Sequence, residues 1–292
     1  MTDDRVKKLY TRAQGSAIRV GCCAYSYRDL LTNASAGMSL ERFIDTAAEI
    51  GCEGVELTAY YFARPITSGY LHQIRRRCFL SGLDITGTAV GNTFALPPGP
   101  DRDAQLNLVR HWLDLSADLG APCLRVFAGA PPSGVSMKQG RRWVIECLLE
   151  CLDYAEERGV MLALENHGGV VQRPDGILEI IRRIRSPWLG VKLDTGNFDS
   201  DSPYEDLARC MDYTVSVHVK TEVRRSGVLE PVDYGHLVSL LTAHGYRGYI
   251  NLEYEGREIA SKAVPMAIAA MRNATRSAER QGRVDSSGGS CA

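Results

Sequence analysis

Four apolar runs in this chain each end in a side chain able to hold a metal ion or carry a proton: Leu-Ala-Leu-Glu165, Val-Lys-Leu-Asp194, Val-Ser-Val-His218 and Ile-Asn-Leu-Glu253. Burying an uncompensated carboxylate is expensive, so each acid needs a partner. One shared divalent cation would satisfy all four residues. Three carboxylates and one imidazole make an oxygen-rich donor set with one nitrogen. That set suits Mn2+ or Mg2+ and also admits Co2+ or Zn2+. Each residue alone has a plainer reading. Glu165 caps the next helix or pairs with Arg125, Asp194 sits in a turn, His218 is a satisfied core histidine, and Glu253 pairs with Arg257. All four plain readings would have to coincide on consecutive runs, so one bound divalent ion is the expectation.

A second layer surrounds these four. In an extended strand side chains alternate, which puts His167 on the face of Glu165, Lys220 and Glu222 on that of His218, and Glu255 on that of Glu253. His167 and Lys220 are candidates for binding substrate hydroxyls or a developing oxyanion. Glu222 and Glu255 read equally well as rim salt bridges. Glu56, Asn92, Arg125 and Asn197 also fall at strand ends and join the candidate substrate contacts, with Glu56 and Arg125 read first as a buried pair. Tyr25, Tyr27, Tyr60, Tyr61 and Phe62 form either an apolar wall for a sugar, with Tyr25 the candidate contact, or packing beneath loops. Gly168-Gly169 offers backbone N–H groups to a phosphate, or is a plain loop.

Elements that gather such residues must bring many strand ends to one place. Strand-like runs occur at 18–23, 53–57, 84–90, 123–127, 160–165, 188–194, 214–220 and 248–253. They are rich in β-branched residues and lack strict polar alternation, as parallel strands covered by helices do. Helical patterns lie between them. One opens at Ser39, another at Pro174, and several close on glycine (Gly51, Gly120, Gly159). Eight βα repeats within 292 residues favour a single (β/α)8 TIM barrel, whose usual length is about 250 residues. No G-x-G-x-x-G follows the first strand, which disfavours an open dinucleotide-binding sheet. The expected layout is an N-terminal extension at 1–17, the barrel at 18–275 and a disordered polar tail at 276–292. In such a barrel the active site lies at the C-terminal ends of the strands, where all the residues above fall.

Composition narrows the function. Lys and Arg number 34 against 35 Asp and Glu, a net charge of −1, so the basic footprint of nucleic-acid binding is missing. Nine irregularly spaced cysteines, mostly in apolar runs, read as reduced thiols in a cytoplasmic protein. The charged first 17 residues do not form a secretory signal, and no run of about 18 apolar residues predicts a membrane span.

The motifs ALEN (163–166), KLDTGN (192–197), SVHVK (216–220), NLEYE (251–255) and GCEGVELT (51–58) resemble the sugar phosphate isomerase/epimerase group of the xylose isomerase-like TIM barrel superfamily. The resemblance spans roughly residues 18–275. It implies that Glu165, Asp194, His218 and Glu253 hold the metal, and that the two glutamates act as acid and base on opposite faces of the substrate. One position departs. Epimerases of the family often carry histidine three residues after the strand-6 aspartate, where this chain has Asn197. The implied activity is divalent-metal-dependent epimerisation or isomerisation of a ketose or inosose through a metal-bound enediolate. The implied partners are a small carbohydrate substrate and further copies in a homodimer or homotetramer. A metal-dependent dehydratase acting on a keto-sugar, inosose or dehydroshikimate-like ring is the alternative. An AP endonuclease-like nuclease is disfavoured, because only His167 and His218 fall at strand ends. A non-catalytic sugar-binding barrel is disfavoured by the intact set of four ligands.

Overall fold

The computed structural model describes residues 18–32 and 37–287. All eight expected barrel strands form: β1 (Arg19–Cys23), β2 (Gly54–Thr58), β3 (Asp84–Ala89), β4 (Cys123–Phe127), β5 (Met161–Glu165), β6 (Leu189–Asp194), β7 (Thr214–Val219) and β8 (Tyr249–Leu252). Each lies parallel to the next, and β8 pairs with β1 to close the barrel. Between the strands run α1 (Leu40–Glu49), α2 (Ser68–Leu80), α3 (Pro100–Leu119), α4 (Met137–Arg158), α5 (Pro174–Ile184), α6 (Pro203–Cys210) and α7 (Tyr234–Ala243), and α8 (Ala260–Ser287) follows β8.

Local chemistry sets these boundaries. The Arg42 N–H donates to Ser39 Oγ at the start of α1, and α5 begins on Pro174. Gly120 and Gly159 end α3 and α4 in the left-handed conformation at φ 73° and 66°, where a side chain would be strained.

Strand alternation divides the interior into two layers. Leu162 and Leu164, Val191 and Leu193, and Val217 and Val219 join the apolar shell beneath the helices. The residues between them, Glu165, Lys192 and Asp194, and Ser216 and His218, turn toward the barrel axis. The shell supplies the apolar burial and the axis carries the buried polar groups. Trp112 of α3 and Phe62, both buried, meet edge to face at 5.2 Å. Tyr27 packs against Phe43 at 5.9 Å. Tyr27 and Phe62 are therefore core residues and leave the sugar-wall set, while Tyr25, Tyr60 and Tyr61 stay at least partly exposed.

Three departures from the sequence expectation stand out. First, Asp199–Ser200, Glu222–Arg225 and Val228–Pro231 form a small sheet beside the barrel mouth. Its hairpin turns on Ser226-Gly227, both at positive φ (50° and 82°), the geometry favoured in two-residue hairpin loops. Second, α8 continues past residue 275 to Ser287, where a disordered tail was expected. Residues 276–282 are mostly good helix formers, and that propensity outweighs their polarity. Residues 1–17 and 288–292, and with them the proposed extension and the end of the tail, lie outside the described residues.

Third, the Gly168-Gly169 pair is a chain crossing. Gly169 has φ 51°, and a Cβ there would lie 2.1 Å from the Gly129 carbonyl oxygen. The next amide, Val170 N–H, donates to that same oxygen. The crossing locks the loop after β5 against the loop after β4, and so fixes the direction in which Glu165 leaves its strand. The eight described cysteines are free and buried. No helix among the described residues is long and apolar enough to cross a membrane.

The crossing generates a stability prediction. Gly159 is also left-handed but faces open space. Gly169→Ala should therefore destabilise the protein by about 1–3 kcal/mol more than Gly159→Ala. Urea unfolding of the two variants measures the difference, and equal losses would contradict the crossing.

Candidate metal centre

The four residues singled out by the sequence converge at the C-terminal mouth of the barrel. Glu165 ends β5, Asp194 ends β6, His218 lies in β7, and Glu253 directly follows β8. One donor atom from each lies within 4.8 Å of the others, and all four residues are buried. Backbone pairing sets their level. Asp194 and His218 are register partners, and the Glu253 N–H donates to the Val219 carbonyl. Asn166 clasps the end of β6, its amide giving a hydrogen bond to the Asp194 carbonyl (2.9 Å) and accepting one from the Asp194 N–H (2.7 Å). The Gly196 N–H occupies Asp194 Oδ1 at 2.8 Å.

Of the atoms facing one another, Glu253 Oε2 accepts from Lys220 and the other three lack hydrogen bonds. Glu165 Oε2, Asp194 Oδ2 and His218 Nδ1 are three of the six buried side-chain polar atoms without a hydrogen-bond partner among the described residues. Buried polar atoms are rarely left this way, and three converging on one point mark a place for a ligand. Nδ1 of His218 stands 3.7 Å from Glu165 Oε2, 4.0 Å from Asp194 Oδ2 and 3.5 Å from Glu253 Oε2. Three carboxylates and an imidazole fit a divalent cation. The charges agree. With His218 neutral, as a metal-ligating imidazole must be, the carboxylates of Glu56, Glu165, Asp194 and Glu253 are buried with three cations, Arg125, Lys192 and Lys220. Counting the half-exposed Glu255, which also holds Lys220, the mouth has two negative charges in excess.

Most of the second layer gathers around this centre. Lys220 Nζ donates to Glu253 and Glu255, each at 2.6 Å, and stands 3.4 Å from Asp194. Arg125 lies 3.5 Å from Glu165 Oε2, with its guanidinium 3.9 Å from the Phe127 ring centroid. Asn197, at the position where family epimerases often carry histidine, donates to Glu165 Oε1 at 3.2 Å. His167 is exposed at the mouth with its ring 4.4 Å from that of Phe127. Tyr25 is half-buried beneath the Arg28 guanidinium. Glu222 sits exposed on the small sheet and makes no contact with the centre.

Two expected substrate contacts have protein partners in this structure. Asn92 spends its amide on the Phe127 backbone, donating at 3.0 Å and accepting at 2.9 Å. It ties the loop after β3 to the end of β4. Glu56 is fully buried on the far side of His218 and does not pair with Arg125. Its Oε1 lies 2.6 Å from His218 Nε2, and its Oε2 accepts from Lys192. Sequence reasoning missed Lys192 altogether. The signal was present, because Lys192 stands two residues before Asp194 in β6 and therefore shares its face.

Electrostatics follow from this crowding. Burial pushes Glu165 up to about 7 against the pull of Arg125, with Glu253 adding repulsion. Burial likewise raises Asp194 to about 7 although Lys220 opposes it. For Glu253, burial is outweighed by His218, Lys220 and Arg125, which hold it well below the usual carboxylate range. Glu56 falls to about 2 because His218 and Lys192 overcome its burial. Desolvation, with the Arg125 and Lys220 charges, lowers His167.

Residues 44–276 match the family described as xylose isomerase-like TIM barrel, and the chain belongs to that family. No curated protein sequence matches it. Among solved structures it is similar to 3-keto-D-glucoside 4-epimerase from E. coli, at 18% identity and TM-score 0.70, covering 88% of this chain and 99% of that one. It is similar to D-psicose 3-epimerase from Clostridium cellulolyticum H10, at 13% identity and TM-score 0.72, with 88% and 99% covered. It is similar also to the IOLI protein crystallised with a zinc atom, at 15% identity and TM-score 0.70, with 88% and 96% covered. At these identities the likeness establishes the fold.

The raised acids predict a pH-dependent response to metal. Glu165 and Asp194 titrate near 7 when folded and near 4 when unfolded, so without metal the folded state binds more protons between those values. Their contribution to stability therefore falls as pH rises from about 4 to 7. A divalent ion binds the ionised carboxylates, so it should restore more stability at the upper end. Mn2+ should raise the Tm more at pH 8 than at pH 5.5, and equal shifts in thermal unfolding would contradict this.

Proposed function

We propose that the chain is a divalent-metal-dependent epimerase or isomerase of small keto-sugars or inososes. The observation that carries this reading is the convergence of Glu165 Oε2, Asp194 Oδ2 and His218 Nδ1, each buried without a hydrogen bond, beside Glu253. A divalent ion held by these four residues supplies stabilisation of the negative charge that develops on substrate oxygens when a neighbouring C–H bond breaks. Mn2+ or Mg2+ suits the three carboxylates best, and Co2+ or Zn2+ can serve.

The chain's own groups handle the proton. Glu165 and Glu253 come from strands separated by β6 and β7 and so approach a substrate from two directions. A carboxyl oxygen of one takes the proton from carbon. The other returns a proton to the opposite face of that carbon, or to its neighbour. Arg125 and Asn197 hold the Glu165 carboxylate in place, and Lys220 does the same for Glu253. Lys220 and His167 offer donors to substrate hydroxyls. The solved neighbours named as a keto-glucoside epimerase and a psicose epimerase support a keto-sugar substrate, and the zinc in the IOLI protein supports a metal.

A second reading keeps the same proton abstraction and then expels a β-hydroxyl as water. His167, exposed at the mouth close to Glu165, is the donor it requires.

Incubation of the Mn2+-loaded protein with a panel of ketoses and inososes in D2O separates the outcomes. The proposal predicts deuterium at the carbon next to the carbonyl of one substrate. Exchange should slow about 100-fold or more in Glu165→Gln and in Glu253→Gln. Loss of water from the substrate would establish the lyase, and no exchange across the panel by metal-loaded protein would overturn both.

A further inference from the structure

We propose that Lys192 is a positioning residue for the metal centre: acting through Glu56, it fixes the His218 ring with the proton on Nε2 and presents Nδ1 to the ion. This inference rests on the metal reading above and adds a group that reading does not use.

Lys192 is among the largest fully buried side chains, and it lies inside the barrel one alternation below Asp194. Its ammonium donates to Glu56 Oε2 and, at 2.9 Å, to Ser216 Oγ. Glu56 in turn places Oε1 2.6 Å from His218 Nε2. The contacts cross the barrel from Ser216 on β7 to Lys192 on β6, to Glu56 on β2, and back to His218 on β7. Cys23 Sγ, 3.6 Å from Glu56 Oε1, is the remaining polar group against that oxygen and at most a weak donor.

Hydrogen-bond capacity sets the direction of this relay. An ammonium has donors only, so Glu56 Oε2 must accept, and the buried carboxylate keeps its charge beside Lys192. Oε1 then also accepts, which requires the proton on His218 Nε2. In the neutral ring that a metal ligand requires, the lone pair is then on Nδ1, the ring atom that faces Glu165, Asp194 and Glu253 without a hydrogen bond. Without the ammonium, Glu56 would be a buried carboxylate held by a histidine and a thiol, and neither the ring orientation nor its tautomer would be specified. Stability alone does not account for the pair, because a buried ion pair roughly breaks even against apolar side chains of similar size. A group that orients a ligand histidine typically changes metal affinity 10- to 100-fold when removed.

The test uses Co2+ as both ligand and spectroscopic probe. Wild type is compared with Lys192→Met and with the double variant Glu56→Gln/Lys192→Met, which removes both buried charges at nearly constant volume. Folding is checked by circular dichroism and cooperative unfolding. The inference predicts that wild type binds one Co2+, and that the folded double variant binds it about 10- to 100-fold more weakly with a shifted visible absorption band. A folded double variant with wild-type affinity and an unchanged band would remove the role of Lys192 and leave the metal centre standing. Wild type that takes up no Co2+ would overturn the metal reading and this inference together. If the double variant does not fold, nitrogen NMR of the Zn2+-loaded wild type decides. A proton on His218 Nε2 supports the relay, and a proton on Nδ1 overturns it.

Discussion

The arrangement of this protein turns on electrostatic repulsion among four carboxylates buried at the mouth of a barrel. Glu165, Asp194 and Glu253 face one another around His218, and Glu56 stands directly behind that histidine. Such a cluster cannot ionise fully without compensation, since each buried charge needs a counter-charge close by. Arg125, Lys192 and Lys220 meet that need only in part. The remaining deficit of two charges, counting Glu255, matches one divalent ion. Burial, offset unequally by the neighbouring positive groups, explains why Glu165 and Asp194 resist ionisation while Glu253 and Glu56 do not. Glu253 and Glu56 accept hydrogen bonds directly from Lys220 and Lys192, whereas Glu165 and Asp194 meet their cations only at 3.5 and 3.4 Å, so burial prevails for them.

The fold makes this repulsion tolerable by separating two kinds of interior. The apolar shell between strands and helices provides the burial that holds the chain together, so the barrel axis is free to be polar. The axis in turn is stiffened by side chains that clasp backbone. Asn166 clasps the end of β6, Asn92 the end of β4, and Gly169 lets the loop after β5 press on the loop after β4. Each clasp fixes a strand end that bears, or directly neighbours, a residue of the centre. The strand ends are thus held by groups whose own partners are backbone atoms, which leaves Glu165 Oε2, Asp194 Oδ2 and His218 Nδ1 available.

Much of this was legible in the sequence because period and position carry it. Strand ends are marked where an apolar run meets an acid or histidine, and the four metal candidates all satisfy that condition. Arg125, Lys220 and Asn197 were found in the same way, as neighbours along a strand or its exit. What was not legible depends on closure. Glu56 meets Lys192 and His218 across the barrel, contacts that exist only once eight strands are in register. From sequence Glu56 read as a partner for Arg125 or as a substrate contact. Lys192 escaped notice because a lysine inside a strand usually turns outward, although its spacing from Asp194 pointed inward. The small sheet was missed because strands of two to four residues show no periodicity, leaving Ser226-Gly227 as its only signal. The extent of α8 was missed because polarity was read as disorder where helix propensity prevails.

Four side chains from four consecutive strands are proposed to hold one divalent ion. Diffraction from a crystal grown with Mn2+, recorded on both sides of the manganese absorption edge, tests it without reference to substrate or reaction. One anomalous peak is expected among Glu165, Asp194, Glu253 and Nδ1 of His218, with Lys220 drawn toward Glu255. A centre without a peak, or a peak ligated by other residues while Lys220 still bridges Asp194 and Glu253, would contradict it.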